Sequence, residues 1–150
     1  MTAVAKTAEQ WVAFFNAPQI SANVPPEIGE MLEVARGSMI YGLFYYPLLT
    51  LGAEQTYRLL DTGTRIRCGQ LGLPLTVKMK KGKERPTYFS ENIDALIKQG
   101  TAPHIEKIQW DAVRNLRNSS SHPEKQRLLN PADAQGGLLL ATQFLNDLFK

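Results

Sequence analysis

A single all-α domain spanning residues 1–150 is what this sequence predicts, as an antiparallel bundle of about five or six helices. Three observations lead there. Apolar residues recur at steps of three and four along most of the chain, and the prolines fall at the breaks between those stretches. Only Leu73–Met79 (LPLTVKM) has the composition and spacing of a strand.

Each element has its own signal. Thr7 to Phe15 carries Ala8, Trp11, Val12 and Phe15 at helical spacing, with Asn16, Ala17 and Pro18 closing it. Pro25 and Pro26 open a second helix, in which Ile28, Met31, Leu32, Ala35, Met39, Ile40 and Leu43 share a face. Pro47 kinks or breaks it, and the pattern resumes through Leu48, Leu51, Gln55, Leu59, Thr62 and Ile66 before fading near Gly69 and Gly72. Ser90 and Gly100 bracket a short helix carrying Ile93, Leu96 and Ile97. Pro103 opens the next, with Ile105, Ile108, Ala112, Val113 and Leu116 expected against the core. Asn130 and Pro131 start the last, built on Leu138, Leu139, Ala141, Leu145 and Leu148.

Composition narrows the function classes. With 43% hydrophobic residues the chain can bury one ordinary core, and a net charge of +3 permits an anionic partner without requiring one. One cysteine, Cys68, excludes an internal disulfide, and two histidines cannot assemble a clustered zinc site, so neither a metal nor another cofactor is expected. The start, MTAVAKTAEQ, lacks the basic and apolar regions of a signal peptide, and a cytoplasmic location is the expectation. Gly37 to Ala53 contains no charged residue and reaches the lower edge of transmembrane length. Its glycines, proline and tyrosines suit a helix buried at the centre of the bundle better than a membrane span, so no membrane partner is expected.

The densest chemistry lies at Arg117, Asn118, Ser119, Ser120, Ser121 and His122, followed by Pro123. On a continuous helix Arg117 and His122 would stand about 140° apart. Pro123 disfavours helical geometry for the residue before it, so the helix should end by about Ser121 and leave His122 free to turn back. An arginine that can hold a phosphate in a bidentate fork and a histidine near neutrality are what metal-independent transesterification of RNA by its own 2′-hydroxyl requires. Asn118 is placed to orient the imidazole. One histidine cannot readily serve as both base and acid, which makes a symmetric homodimer a mechanistic expectation. Lys78, Lys80, Lys81, Lys83 and Arg85 form an exposed basic loop, which reads more readily as a solvated connection and is a weak RNA-binding candidate. In the plainer reading Arg117 pairs with Asp111 or Glu124, and His122 caps its helix. Trp11, Trp110, Tyr45 and Tyr46 read as core or dimer packing, His104 as incidental, and Cys68 as a small buried hydrophobe.

The segment LRNSSSHP resembles the Arg-x4-6-His signature of the HEPN (higher eukaryotes and prokaryotes nucleotide-binding) superfamily, with Arg117, Asn118 and His122 on its three positions. The resemblance extends less specifically to YGLFYYPLLTLGAEQTYRLLD, similar to the long second helix of such bundles. It implies a HEPN-like helical bundle, a dimer with a composite site, and metal-independent endoribonuclease activity of toxin, antiviral or RNA-processing type. It also implies an antitoxin or other regulatory partner. Glu54 is a secondary site candidate, because an acidic residue on this helix approaches the site in some members. HEPN toxins paired with a minimal nucleotidyltransferase commonly carry tyrosine two residues after the histidine. This chain has Glu124 there, so regulation by adenylylation is not implied. The alternative function is a non-catalytic nucleotide- or RNA-binding or partner-docking module on the same fold.

Overall fold

The computed structural model describes residues 7–119 and 128–150. They form an all-α bundle: α1 (Ala8–Asn16), α2 (Pro26–Tyr41), α3 (Leu48–Gln70), α4 (Phe89–Lys98), α5 (Lys107–Ser119) and α6 (Pro131–Leu148). Between α3 and α4 lies a two-stranded antiparallel hairpin, β1 (Thr76–Lys78) and β2 (Glu84–Pro86).

Helix starts follow the chemistry of unpaired amides. Thr7 Oγ1 accepts the Gln10 N–H at the head of α1, and Asn130 Oδ1 accepts the Asp133 N–H at the head of α6. Pro26 occupies the first turn of α2, where its missing N–H costs nothing. The expected Ser90 cap is displaced. Tyr88 is the N-cap of α4, and Glu91 accepts its N–H at 2.7 Å, because a longer carboxylate at the third helical position reaches back further than a serine hydroxyl.

α3 is the centre of the bundle, touching α2, α4, α5 and α6. Its face carries Leu49, Leu59 and Leu60, fully buried against Ile28, Leu32 and Met39 of α2 and Phe144 and Leu145 of α6. Gly52 makes the α2–α3 contact close: a Cβ there would stand 2.6 Å from Met39 Cγ and 2.9 Å from the Ala35 carbonyl oxygen. Arg36 fastens α1 to α2 from inside the core. It is 5% exposed and donates from Nε to the Phe15 carbonyl (3.2 Å) and from Nη2 to the Pro18 carbonyl (2.5 Å), with Glu33 also on its guanidinium.

Several sequence expectations are corrected. Residues 37–53 are not one buried helix. They divide between the end of α2, the turn 42–47 and the start of α3, and Tyr41, Leu43, Phe44, Tyr45, Tyr46 and Leu51 all face solvent. Pro47 breaks the helix rather than kinking it, so the apolar run is turned outward at the end of a helical hairpin. Tyr45 and Tyr46 therefore do not pack in the core, whereas Trp11 and Trp110 do. No described helix is long and apolar enough to cross a membrane. Pro103 does not begin α5: Ala102, Pro103 and His104 form a turn, and Gln109 Oε1 accepts the Glu106 N–H so that the helix starts at Lys107. With that start Ile105 and Val113 are buried, Ala112 and Leu116 are half-buried, and Ile108, at 71% exposure, faces water. Leu139 likewise sits on the outer side of α6.

Candidate functional site

The basic segment is a hairpin rather than an open loop. Val77 pairs with Arg85 and Lys78 with Glu84, and a tight turn through Lys81 (φ 71°) and Gly82 (φ 73°) closes it. Lys78, Lys80, Lys81 and Lys83 project into solvent. Arg85 does not share their role. It grips Glu91 of α4 with both arms of its fork, at 2.8 and 2.7 Å, and lies 4.0 Å over the Tyr88 ring. Those hydrogen bonds, with the Tyr88 N–H, hold the Glu91 carboxyl down at about 2. Arg85 thus anchors the hairpin to α4.

Arg117 reaches a different place. It stands in the last described turns of α5 and points across to α3, where its Nη2 is 3.6 Å from Asp61 Oδ2. Together with Glu54, Tyr57, Arg58 and Asp61 it lines a cleft of about 200 Å³. Glu54, Arg58 and Asp61 follow one another on α3 at steps of four and three, which places them on one face of that helix. Leu51 continues the face toward the exposed aromatic turn. Two carboxylates and two guanidiniums therefore converge on one opening. The Arg117–Asp61 contact joins side chains 30% and 42% exposed, so in water it is worth about 0–1 kcal/mol, little enough for a phosphate to compete with Asp61 for the guanidinium.

The structure thus brings Glu54 and Arg117 together, and it replaces Asp111 as the arginine's partner, because Asp111 is taken by Lys107 at 3.2 Å one turn earlier on α5. It does not bring the hairpin lysines to the cleft. Asn118 is exposed and is not part of the lining. His122, Glu124 and Pro123 lie outside the described residues, as does the expected helix end near Ser121. Tyr57, Arg58 and Asp61 were missed by sequence reasoning, although their spacing from Glu54 on a helix already assigned was a usable signal.

The remaining chemistry-bearing residues are occupied elsewhere. His104 donates from Nε2 to the Asp147 carbonyl at 2.8 Å, tying the turn before α5 to the end of α6. Cys68 is fully buried and its Sγ–H points at the Asn92 carbonyl, 3.7 Å away. Burial pushes its thiol up and Arg65 offsets part of that, so it is not a nucleophile. No group of three or more His, Cys, Asp or Glu residues suited to a metal ion occurs among the described residues. No family model, curated protein or solved structure matches the chain.

Proposed function

We propose that this chain is a metal-independent endoribonuclease of HEPN type, acting in the cytoplasm as a homodimer. The observation that carries the reading is the meeting of Arg117 with the acidic and basic face of α3 in one cleft. The arginine of the motif helix is held in an opening, not spent on the outer surface.

In this reading the scissile phosphate displaces Asp61 from Arg117, and the guanidinium balances charge as the 2′-oxygen attacks phosphorus. The O2′–P bond forms and the P–O5′ bond breaks. His122 of one copy accepts the 2′-hydroxyl proton, and His122 of the second copy protonates the leaving 5′-oxygen, giving a 2′,3′-cyclic phosphate. Asn118 orients the imidazole. Arg58 offers a second cation to the phosphate, and Glu54 accepts hydrogen bonds from the ribose. The exposed apolar residues Tyr41, Leu43, Phe44, Tyr45, Tyr46 and Leu51 around the turn 42–47, continuous along α3 with the cleft, are where the second copy seats. The hairpin lysines attract flanking RNA, and an antitoxin or comparable regulatory protein restrains the activity.

The test is cleavage of single-stranded RNA in EDTA. Cyclic phosphate ends are expected, with Arg117→Ala and His122→Ala each slowing the reaction by about 100-fold or more. An equal rate in wild type and variants defeats the enzyme reading. A second reading, a non-catalytic RNA- or partner-binding module, draws on the existing Asp61 partnership of Arg117. It predicts RNA retention without cleavage, weakened by Arg58→Ala and Arg117→Ala alike.

A further inference from the structure

A second, larger cavity lies toward the N-terminal end of α5, about 510 Å³ in volume, between the end of α4 and the turn leading into α5. Its size falls in the range of small-molecule sites. Ile97, Ile105 and Trp110 supply an apolar wall, and Lys107, Asp111 and Arg114 supply charge along one edge. The Trp110 ring is fixed edge-on against Phe144, with centroids 5.2 Å apart. The rim includes the turn at Ala102, a non-glycine residue at φ 52°.

Arg114 is the poorly satisfied group in this cavity. Its one hydrogen bond among the described residues runs from Nη2 to Asp94 of α4, and its Nε is buried without a partner. Lys107, on the same edge, is 92% exposed and, among the described residues, paired with Asp111 one turn on. The charged groups lining the cavity are thus two cations against one carboxylate, and Asp94, outside the lining, pairs with Arg114. A carboxylate entering here could accept from two N–H groups of the Arg114 fork, which Asp94 does not do. A cationic ligand would face the guanidinium, and a neutral one would forgo the charge-assisted hydrogen bond.

We infer that the cavity between α4 and α5 is a binding site for a small organic anion, a carboxylate on an apolar body that seats against Ile97 and the edge of Trp110 while its carboxyl engages Arg114. This site does not depend on ribonuclease activity, and its test does not measure RNA cleavage.

The full chain is titrated with 2-naphthoate by calorimetry and by two-dimensional NMR. The two tryptophan indole N–H signals provide an internal control, because Trp11 Nε1 donates to the Ile40 carbonyl at 2.9 Å, away from this cavity. Expected are saturable binding and a shift of the Trp110 signal alone. Arg114→Met should weaken binding by about tenfold or more, the loss expected for a charge-assisted hydrogen bond. Ile97→Glu should do the same by placing a negative charge at the mouth. Residue 97 is 44% exposed, so this variant decides the matter if Arg114→Met fails to fold. The inference is overturned if 2-naphthoate does not saturate in the millimolar range, or if the Trp11 signal moves equally. It also fails if naphthalene-2-methanol or 2-naphthylmethylamine binds as tightly, or if Ile97→Glu leaves affinity unchanged.

Discussion

Gly52 and Gly136 both lie inside helices, yet alanine should act on them in opposite directions. At Gly136, on the exposed side of α6, a new Cβ meets nothing within 4 Å, so only the helix propensity changes and stability should rise by about 0.5–1 kcal/mol. At Gly52 the same gain is opposed by a collision with Met39 Cγ at 2.6 Å and the Ala35 carbonyl oxygen at 2.9 Å. Met39 can rotate away. The carbonyl belongs to the backbone of α2, so relief requires α2 and α3 to part by several tenths of an ångström along their contact. Overpacking of this kind costs about 1–3 kcal/mol, which leaves Gly52→Ala about 0.5–2 kcal/mol less stable than wild type. For a chain of this size the melting temperature should fall by about 2–6 °C, against a rise of about 1–3 °C for Gly136→Ala. Urea unfolding followed by helical circular dichroism measures both in one series. If Gly52→Ala matches or exceeds wild type while Gly136→Ala is stabilised, the α2–α3 approach is wider than argued. The site depends on that approach, since Glu54 begins only two residues after Gly52.

Two further expectations rest on named contacts. Because Arg85 and the Tyr88 N–H lower the folded Glu91 pKa from 4.5 to about 2, the contribution of this pair is complete above the unfolded value and is lost as pH falls from about 4.5 toward 2. Protection of the Thr87 amide, which donates to the Leu75 carbonyl at 3.0 Å, measured as its exchange rate relative to the intrinsic rate at each pH, should therefore fall across that window in wild type. In Glu91→Gln it should already be low above it. Arg36→Met keeps the aliphatic packing but strips hydrogen bonds from the buried carbonyls of Phe15 and Pro18, so a loss of about 2–4 kcal/mol is expected. A urea-unfolding loss below about 1 kcal/mol would mean that water replaces the guanidinium there.

Sequence and tertiary structure contributed different things. Helical periodicity, the prolines at 25, 26, 47 and 131, and the Thr7 and Asn130 caps specified an all-α chain with most helix starts in place, because these signals act within one or two turns. Local signals also misled. Pro103 looked like a helix start and Ser90 like a cap, yet side chains three residues into α4 and α5 captured the amides that set the true ends.

What only the fold decided was orientation and partnership. The uncharged run from Gly37 to Ala53 reads as core by composition, but a break at Pro47 turns its aromatics toward water, and no local pattern records which way a turn faces. Arg36 is polar by identity and buried by position, because two carbonyls distant in sequence converge on it. Arg85 sits in a lysine-rich stretch but belongs to Glu91 of α4. At the site, spacing alone could place Glu54, Arg58 and Asp61 on one face of a helix. That this face is opposite Arg117, more than fifty residues later, follows from α5 packing against α3. Helical periodicity determines which residues share a face; only the packing of one helix on another determines what that face meets.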